Sequence, residues 1–148
     1  MSKNQLFIII IGCGRLGSFL ANRLSRDGQN VVIIDINKAR FENLSAEFSG
    51  FRIEGDATET AVLIQAKINK ADAMIAATHE DNVNLMIAQI AKRIYKVPKV
   101  MARIFDLKRE EIFRRLGIET ISPTSIAGDI FLKSLQKVTI RNKTEKIQ

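Results

Sequence analysis

The sequence is poor in several residue types, and each shortage excludes a class of protein. Its 148 residues include one cysteine, Cys13, so no disulfide can form within the chain, which is typical of a reducing compartment. The longest apolar run, residues 6–11, is far shorter than the roughly 18 residues of a membrane-spanning helix. That run leads directly into glycines and not into a small-residue cleavage site, so we expect no signal peptide.

Recognisable catalytic combinations are also missing. His79 is the only histidine, and it belongs to no Ser/His/Asp set and to no Cys/His cluster with metal-ligand spacing. Tyr95 and Lys99 have the spacing of the short-chain dehydrogenase pair, but Pro98 breaks any helix between them. The G-K-[ST] of a P-loop is absent as well. We therefore expect no catalytic residues and no metal site, which favours a sensing domain over an enzyme.

The net charge of +7 is compatible in principle with nucleic acid or anionic lipid as a partner. The basic residues, however, are scattered over predicted helix faces. The densest basic stretch, residues 133–146, has no interleaved aromatic side chains on which bases could stack. We interpret the charge as a solvated surface and expect no nucleic-acid partner.

The most informative stretch joins the apolar run to a glycine-rich turn. Gly12, Gly14 and Gly17 fit G-x-G-x-x-G, and residues 18–26 then have helical spacing. In a strand–turn–helix unit the first glycine allows a sharp turn, and the second lets a diphosphate approach the backbone. The third lets the helix pack close to the strand. The start of the helix would direct its free N–H groups and its dipole at the anion.

A second strand, residues 30–35, ends in Asp35, 18 residues after Gly17. An acid in this place can accept hydrogen bonds from both ribose hydroxyls of an adenosine, and it disfavours the 2′-phosphate of NADP. The alternative is a turn without a ligand, in which Asp35 only caps the next helix.

Three nearby residues have two interpretations each. Cys13 is either a small buried filler, which we favour, or a reactive thiol near a helix N-terminus. His79 is either an exposed residue at a helix start, which we favour, or a ligand contact. Small residues such as Ala77, at the end of the fourth strand, fit an approaching ring or close helix packing equally well.

Apolar periodicity and turn residues predict alternating strands and helices along the whole chain. This pattern indicates an α/β fold with a doubly wound, six-stranded parallel sheet of order 3-2-1-4-5-6, that is, a Rossmann-like domain. We expect this domain to span residues 1–138 and a polar, frayed tail to span residues 139–148. The predicted strands are 6–11, 30–35, 51–54 (near a sheet edge), 71–78, 99–105 and 118–121, and the predicted helices are 18–26, 38–48, 58–66, 80–95, 106–116 and a last one from Pro123.

Capping residues and apolar stripes accompany these helices. Asn37, Asp106 and Ser122 are predicted caps, and Gly117 is a predicted helix stop. Capping boxes are predicted for the pairs Asp56/Glu59 and Thr78/Asp81, and buried stripes for Ala39, Phe41, Leu44 and Phe48 and for Val83, Met86, Ile87, Ile90, Ala91 and Ile94.

Several motifs occur together in a fixed order. They are the glycine loop 12–17, Asp35, the segment Gly55-Asp56-Ala57-Thr58, the run A-A-T-H-E-D-N-V-N at 76–84, Ala102-Arg103, and Gly117-Ile118 leading to Ile121-Ser122-Pro123. In this combination residues 6–138 resemble the regulator-of-potassium-conductance (RCK) domain, also called the KTN (Trk-type, NAD-binding) domain, of bacterial potassium uptake systems and channels.

The resemblance implies a cytoplasmic regulatory subunit at the inner face of the membrane, attached through a membrane potassium-translocating partner. Such domains form homodimers that assemble into rings, here expected to be a tetramer of dimers. They bind an adenine nucleotide, NAD or NADH or alternatively ATP or ADP, to gate that partner. Family members usually carry a smaller C-terminal ligand domain, which we expect to be absent from these residues. One alternative from the sequence is a small NAD-dependent oxidoreductase with an unidentified substrate. Another is an interaction module that kept the fold but lost its ligand, which predicts a stable dimer that is indifferent to nucleotides.

By the family pattern, the glycine loop and Arg15 face the phosphates, while Asp35 and Asn37 hold the ribose. Asp56-Ala57 border the adenine and Thr78 closes the opposite side. Arg103 reaches towards phosphate or towards a neighbouring subunit. The complete set of expected cofactor-binding residues is Gly12, Cys13, Gly14, Arg15, Leu16, Gly17, Asp35, Ile36, Asn37, Gly55, Asp56, Ala57, Ala77, Thr78, His79 and Arg103.

Overall fold

Six parallel strands form one sheet in the order 3-2-1-4-5-6, which confirms the predicted topology. The structure, a computed structural model, describes the backbone of residues 4–147 and their side chains except those of residues 139–141 and 145–147. Because the first strand pairs with the second on one side and the fourth on the other, the strand order reverses there and opens a crevice at the carboxyl edge. The strands are β1 (Phe7–Ile11), β2 (Asn30–Asp35), β3 (Phe51–Glu54), β4 (Ala73–Ala76), β5 (Lys99–Arg103) and β6 (Glu119–Ile121).

Five α-helices connect and flank these strands, and short 3-10 segments complete several connections. The α-helices are α1 (Arg15–Arg26), α2 (Thr60–Gln65), α3 (Asp81–Gln89), α4 (Glu110–Arg115) and α5 (Pro123–Ile147); the 3-10 helices are Lys38–Asn43, Ile68–Lys70 and Leu107–Arg109, and a π-helix at Ile90–Ile94 continues α3.

The alternation of side chains along β1 divides the core into two layers. Ile8 and Ile10 face one side and pack with Ala21 of α1. Ile9 and Ile11 face the other side and pack with the larger cluster, which includes Leu63 of α2 and Ile87 of α3. A strand buried on both faces needs a continuous apolar run, which explains why residues 8–11 are all isoleucine.

The predicted helix 38–48 is wrong. Only Lys38–Asn43 is helical, with 3-10 geometry, and Leu44 has an extended backbone (φ −76°, ψ 142°). Leu44 and Phe48 are nevertheless buried as predicted, whereas Ala39 is exposed. Asn37 does cap the segment, because its side-chain oxygen accepts a hydrogen bond from the N–H of Ala39 at 3.0 Å.

Neither predicted capping box forms. The carboxylate of Asp56 accepts hydrogen bonds from Thr58, while the N–H of Glu59 donates to the backbone carbonyl oxygen of Asp56 at 3.0 Å. The helix α2 is confined to Thr60–Gln65. Asp81 is committed to the backbone N–H groups of Phe105 and Asp106. The spacing of residues along one helix does not predict hydrogen bonds to distant parts of the chain.

The predicted helix 80–95 also differs at its end, where Ile90–Ile94 form a π-helix. A π-turn adds a residue per turn, which rotates the following side chains relative to an α-helical stripe. Ile94 is therefore 67% exposed, and Met86, on the outer side of α3, is 47% exposed, although both were predicted to face inward.

Other boundaries shift by a few residues. α1 begins at Arg15 and not at residue 18, and Phe19 on it is exposed. Strands β4, β5 and β6 are shorter than predicted. Asp106 and Ser122 cap as predicted, by accepting from the N–H groups of Lys108 and Ser125, and Gly117 follows α4 at φ +72°.

The last helix, α5, extends to Ile147, so the predicted frayed tail is helical up to that residue, and Gln148 lies outside the described residues. Long apolar side chains stand exposed along it. Among the described helices, none combines the length and the apolar character that crossing a lipid bilayer requires. The exposed set on α5 is Ile126, Ile130, Phe131, Leu132, Leu135 and Val138.

Candidate functional site: a nucleotide-type crevice at the carboxyl edge of the sheet

Two glycines in the loop after β1 lie so close to backbone atoms that no side chain fits at either position. Gly12 has φ +102°, and a Cβ there would lie 2.7 Å from the carbonyl oxygen of Ala77. A Cβ on Gly17 would lie only 1.7 Å from the carbonyl oxygen of Gly12. These positions therefore need glycine for the fold itself, independently of any ligand.

Gly14 differs from Gly12 and Gly17, because packing does not exclude a side chain there. It is the N-cap residue of α1 with an extended backbone, and the nearest atom to a Cβ built there is Nε2 of His79 at 3.4 Å. This is an ordinary van der Waals distance, so packing alone does not require glycine. The His79 imidazole lies beside this position, next to the N-terminus of α1, whose free N–H groups could meet an anion.

Cys13 is fully buried within the loop. Burial, and next the negative charge of Asp35, raise the pKa of its thiol to about 11. Its carbonyl oxygen accepts a hydrogen bond from the side-chain amide of Asn43. Since the thiolate is the reactive form, these findings support the buried-filler interpretation and contradict the reactive-thiol alternative.

Asp35 ends β2 with a buried carboxylate that holds two backbone segments together. Its Oδ2 accepts a hydrogen bond from the N–H of Cys13 at 2.7 Å, and its Oδ1 accepts one from the N–H of Asn37 at 2.7 Å. A carboxylate offers about four acceptor positions. Each oxygen thus retains acceptor capacity, and Asp35 also lines the central cavity described below.

The turn after β3 forms a second edge of the crevice. The carboxylate of Asp56 accepts hydrogen bonds from the hydroxyl of Thr58 at 2.7 Å and from its N–H at 2.9 Å. The hydroxyl bond, followed by the backbone bond, lowers the pKa of Asp56. Gly55 is joined to β2, because its N–H donates to the carbonyl oxygen of Asp35. The turn is therefore fixed against the tip of β2.

The opposite wall of the crevice begins at Thr78 and is held by Asn84, which is completely buried in α3. The side-chain oxygen of Asn84 accepts from the N–H of Thr78 at 2.9 Å and from its hydroxyl at 2.6 Å. Its amide nitrogen donates to the carbonyl oxygens of Thr78 and Arg103, at 3.1 and 3.0 Å. One amide thus uses all its hydrogen-bonding capacity to join the Thr78 segment to the end of β5.

Arg103 supports the same wall through a hydrogen bond to Thr78. Its Nη2 donates to the carbonyl oxygen of Thr78 at 2.9 Å, and its guanidinium carbon lies 4.4 Å from the ring centre of Phe105. Burial lowers the pKa of Arg103, and the charge of Asp81 opposes that effect. Within the described part of the chain, its Nε is the buried side-chain polar atom without a hydrogen-bond partner. The guanidinium is held under the wall and not within the crevice.

These elements enclose a cavity of about 390 Å³ between the ends of β1, β2 and β4. Half of the sequence-predicted residues line it: Gly12, Asp35, Ile36, Gly55, Asp56, Ala57, Thr78 and His79. The other half lie around the cavity without lining it: Cys13, Gly14, Arg15, Leu16, Gly17, Asn37, Ala77 and Arg103. Of these, Arg15 is exposed at the start of α1 and Ala77 is buried beside Gly12.

Sequence reasoning did not identify several residues that shape the site. Arg40, Glu80 and Val83 line the cavity, and Asn84 fixes its wall. Arg40 follows Asp35 by five residues, so its distance from the strand tip could have indicated it. Asn84 is an uncharged polar residue among the apolar positions of a predicted helix, and a buried polar residue of that kind needs partners.

Two further observations delimit the site. A second cavity of about 610 Å³ lies at the amino ends of β1, β2 and β3, and none of the predicted site residues lines it. Among the residues that the structure describes, no three His, Cys, Asp or Glu side chains gather where they could hold a metal ion.

The sheet order, the glycine turn after β1 and the carboxylate that closes β2 define a Rossmann-like domain of the nucleotide-binding type. Residues 8–123 match the model of the TrkA-N domain family, and the chain belongs to that family.

Known proteins with related sequence and structure agree with this assignment. The Trk system potassium uptake protein TrkA of Streptomyces coelicolor is 37% identical over 130 residues, which cover 88% of this chain and 58% of that protein. The chain therefore spans somewhat more than half of this relative. The Kef CTD of Shewanella denitrificans, in AMP-bound form, superimposes with a TM-score of 0.75 at 24% identity, covering 89% of this chain and 81% of that one. The GsuK channel bound to NAD gives a TM-score of 0.66 at 18% identity, covering 82% and 22%. At these identities the two structures support the fold alone.

Proposed function

We propose that this domain binds an adenine nucleotide in the cavity between β1, β2 and β4 and thereby regulates a membrane potassium-translocating partner. The observation that carries the nucleotide proposal is the juxtaposition of Asp35 and the glycine loop at one cavity. The carboxylate is fixed by two backbone N–H groups yet keeps acceptor capacity that faces the cavity. A preorganised acceptor of this kind suits the two hydroxyls of a ribose.

Different groups at the cavity would then bind different parts of the nucleotide. The ribose lies at Asp35, the adenine lies against Asp56 and Ala57, and the phosphates extend over Gly14 towards the N-terminus of α1. NAD, NADH, ADP and ATP share the adenosine diphosphate that this arrangement accommodates. The AMP-bound Kef structure and the NAD-bound GsuK structure, which have the same fold, contain the adenosine monophosphate part of that group.

The two arginines have different roles in this proposal. Arg15 is exposed at the first position of α1, so its side chain is free to turn towards the phosphates. Arg103 is bonded to the carbonyl oxygen of Thr78 and stacked on Phe105. We therefore assign Arg15 to the ligand and Arg103 to the support of the Thr78 wall.

The regulatory part of the proposal comes from the family and its relatives, which are named potassium uptake proteins. The domain would act in the cytoplasm beneath its membrane partner, as a homodimer within a ring of such dimers. Exposed apolar side chains on α5, among them Ile130 and Phe131, are suited to contact with a second copy. Sedimentation equilibrium distinguishes the 16.6 kDa monomer from a dimer of twice that mass, and Phe131→Glu is expected to shift the balance to monomer.

The nucleotide proposal is tested by thermal unfolding with NAD, NADH, NADP, ATP, ADP and AMP. A ligand at a hundredfold over its Kd adds about 2.7 kcal/mol, which raises the Tm of a domain of this size by roughly 5–15 °C. We expect a shift with NAD(H) or ADP/ATP but not with NADP. The shift should disappear in Asp35→Ala and persist in Asp129→Ala, which removes an exposed acid of α5.

No shift with any nucleotide would refute the binding proposal. The alternative, a small oxidoreductase, predicts instead that NAD is reduced in the presence of an alcohol or carbonyl substrate. Steady absorbance of NADH at 340 nm, while the nucleotide still raises the Tm, would favour the sensing role.

A further inference from the structure

His79 is an exposed residue that lines the cavity and lies directly beside Gly14 of the glycine loop. Its Nε2 lies 3.4 Å and its Cε1 lies 3.6 Å from the position of a Cβ on Gly14. Its ring centre is 6.3 Å from that of Phe105, the ring on which Arg103 stacks. The imidazole therefore points its nitrogen-bearing edge at the glycine over which the phosphates of the proposed ligand would pass.

The charge around the cavity makes this position unusual for a phosphate site. The charged residues that line it are Asp35, Asp56 and Glu80, which are acidic, and Arg40, which is basic, so the lining has a net charge of −2. Arg40 follows β2 and lies towards the adenosine end. On the side of the glycine loop, His79 is the residue of the lining that can become cationic.

We propose that His79 is a specificity-determining residue that donates from Nε2 to the ligand phosphates above Gly14 and that makes nucleotide affinity depend on pH. The inference rests on the proposed function and deepens it. Histidine is the side chain that ordinarily changes charge between pH 5 and 8. A diphosphate binds the imidazolium better than the neutral ring, so acidification tightens binding.

Other ionisable groups surround His79. Glu80 and Asp81 follow it along the chain, and the carboxylate of Asp81 accepts hydrogen bonds from the N–H groups of Phe105 and Asp106. Arg103 stacks on Phe105, whose ring centre is 6.3 Å from that of His79. Arg15 begins α1, and Asp35 ends β2. A bound diphosphate would add two negative charges to this set.

The test compares two probes that differ in phosphate. Adenosine diphosphate ribose contains the shared adenosine diphosphate, and both phosphates are esterified, so it lacks the terminal phosphate whose ionisation falls near pH 6. Adenosine has no phosphate. Calorimetric Kd values are measured for both at pH 5.5 and pH 8.0.

We expect adenosine diphosphate ribose to bind roughly three- to tenfold more tightly at pH 5.5, since a tenfold preference for the charged ring corresponds to one pKa unit and solvent screening reduces it. Adenosine should bind equally at both pH values. His79→Gln, which keeps a donor but cannot titrate, should abolish the difference. Glu80→Gln, the control, changes the local charge and should retain a pH difference.

Each result has a defined meaning. Affinity for adenosine diphosphate ribose that does not vary with pH, a difference that survives in His79→Gln, or an equal difference for adenosine would overturn the inference while leaving the nucleotide site intact. Failure of every nucleotide to bind at either pH would overturn the proposed function, and this inference with it.

Discussion

Gly14 and Gly17 are two residues of one motif, but the structure gives them different tasks, which a pair of alanine substitutions can separate. A Cβ at position 17 would lie 1.7 Å from the backbone carbonyl oxygen of Gly12, so the backbone of the turn or of α1 must shift to admit it. We expect Gly17→Ala to cost roughly 3 kcal/mol or more, because overpacking against backbone has no flexible side chain to absorb it.

At position 14 the same methyl group meets Nε2 of His79 at 3.4 Å, and the backbone is already extended. The weaker alanine N-cap and the reduced entropy of the unfolded chain nearly cancel. We expect Gly14→Ala to change stability by less than about 1 kcal/mol. It should nevertheless abolish nucleotide binding, because the methyl group keeps the diphosphate from the close backbone approach that the second glycine of the motif allows.

Urea unfolding gives the stabilities, and ligand-induced shifts of Tm give the binding. Gly128→Ala is the matched control, because position 128 lies in α5 with no atom within 4 Å of its Cβ position. It should stabilise the domain by about 0.5–1 kcal/mol and leave binding unchanged. The reasoning is refuted if Gly14→Ala binds nucleotide as the wild type does, or if Gly17→Ala is as stable as Gly14→Ala.

Three further predictions concern single residues. Asp35→Asn should lower the free energy of unfolding by about 1.5–3 kcal/mol, because one of its two charge-assisted backbone bonds cannot be made by an amide; equal urea midpoints would contradict this. Asn84→Ala should cost about 2–5 kcal/mol because it leaves buried groups of Thr78 and Arg103 unpaired, and loss of amide exchange protection confined to the ends of β4 and β5 would locate the damage. Because the pKa of Cys13 is raised in the folded state, the unfolded chain loses the thiol proton first as the pH rises. The free energy of unfolding should therefore fall between pH 9 and about pH 11, by at most about 2.7 kcal/mol. Urea titrations of Cys13→Ala should lack this pH-dependent loss of stability.

The sheet could be predicted because its determinants are local. The isoleucine run of β1 is buried on both faces, and Gly17 is required by a contact with Gly12 in the same strand–turn–helix unit. Gly12 is required by a contact with Ala77 after β4, although its place in the motif already marked it in the sequence. The order of the strands then follows from their regular alternation with helices. The same locality explains why Asp35 and the glycine loop were expected to meet.

The errors arose where distant parts of the chain determine the local structure. Asp81 has the spacing of a capping-box member, but its acceptors are used by Phe105 and Asp106, more than twenty residues away. Leu44 and Phe48 were correctly predicted to be buried, yet an irregular chain buries them as well as a helix would. Apolar spacing reports which side chains leave water and not which backbone carries them.

The length of α5 has a mechanical consequence. At 1.5 Å per residue its 25 residues extend for about 37 Å, and its first turn is anchored through Ser122 at the end of β6. A tilt of about 5° at that anchor would displace the far end by about 3 Å. The helix therefore amplifies motion: a change at the carboxyl edge of the sheet that is too small to alter the core moves the far end of α5 by about the size of an atom.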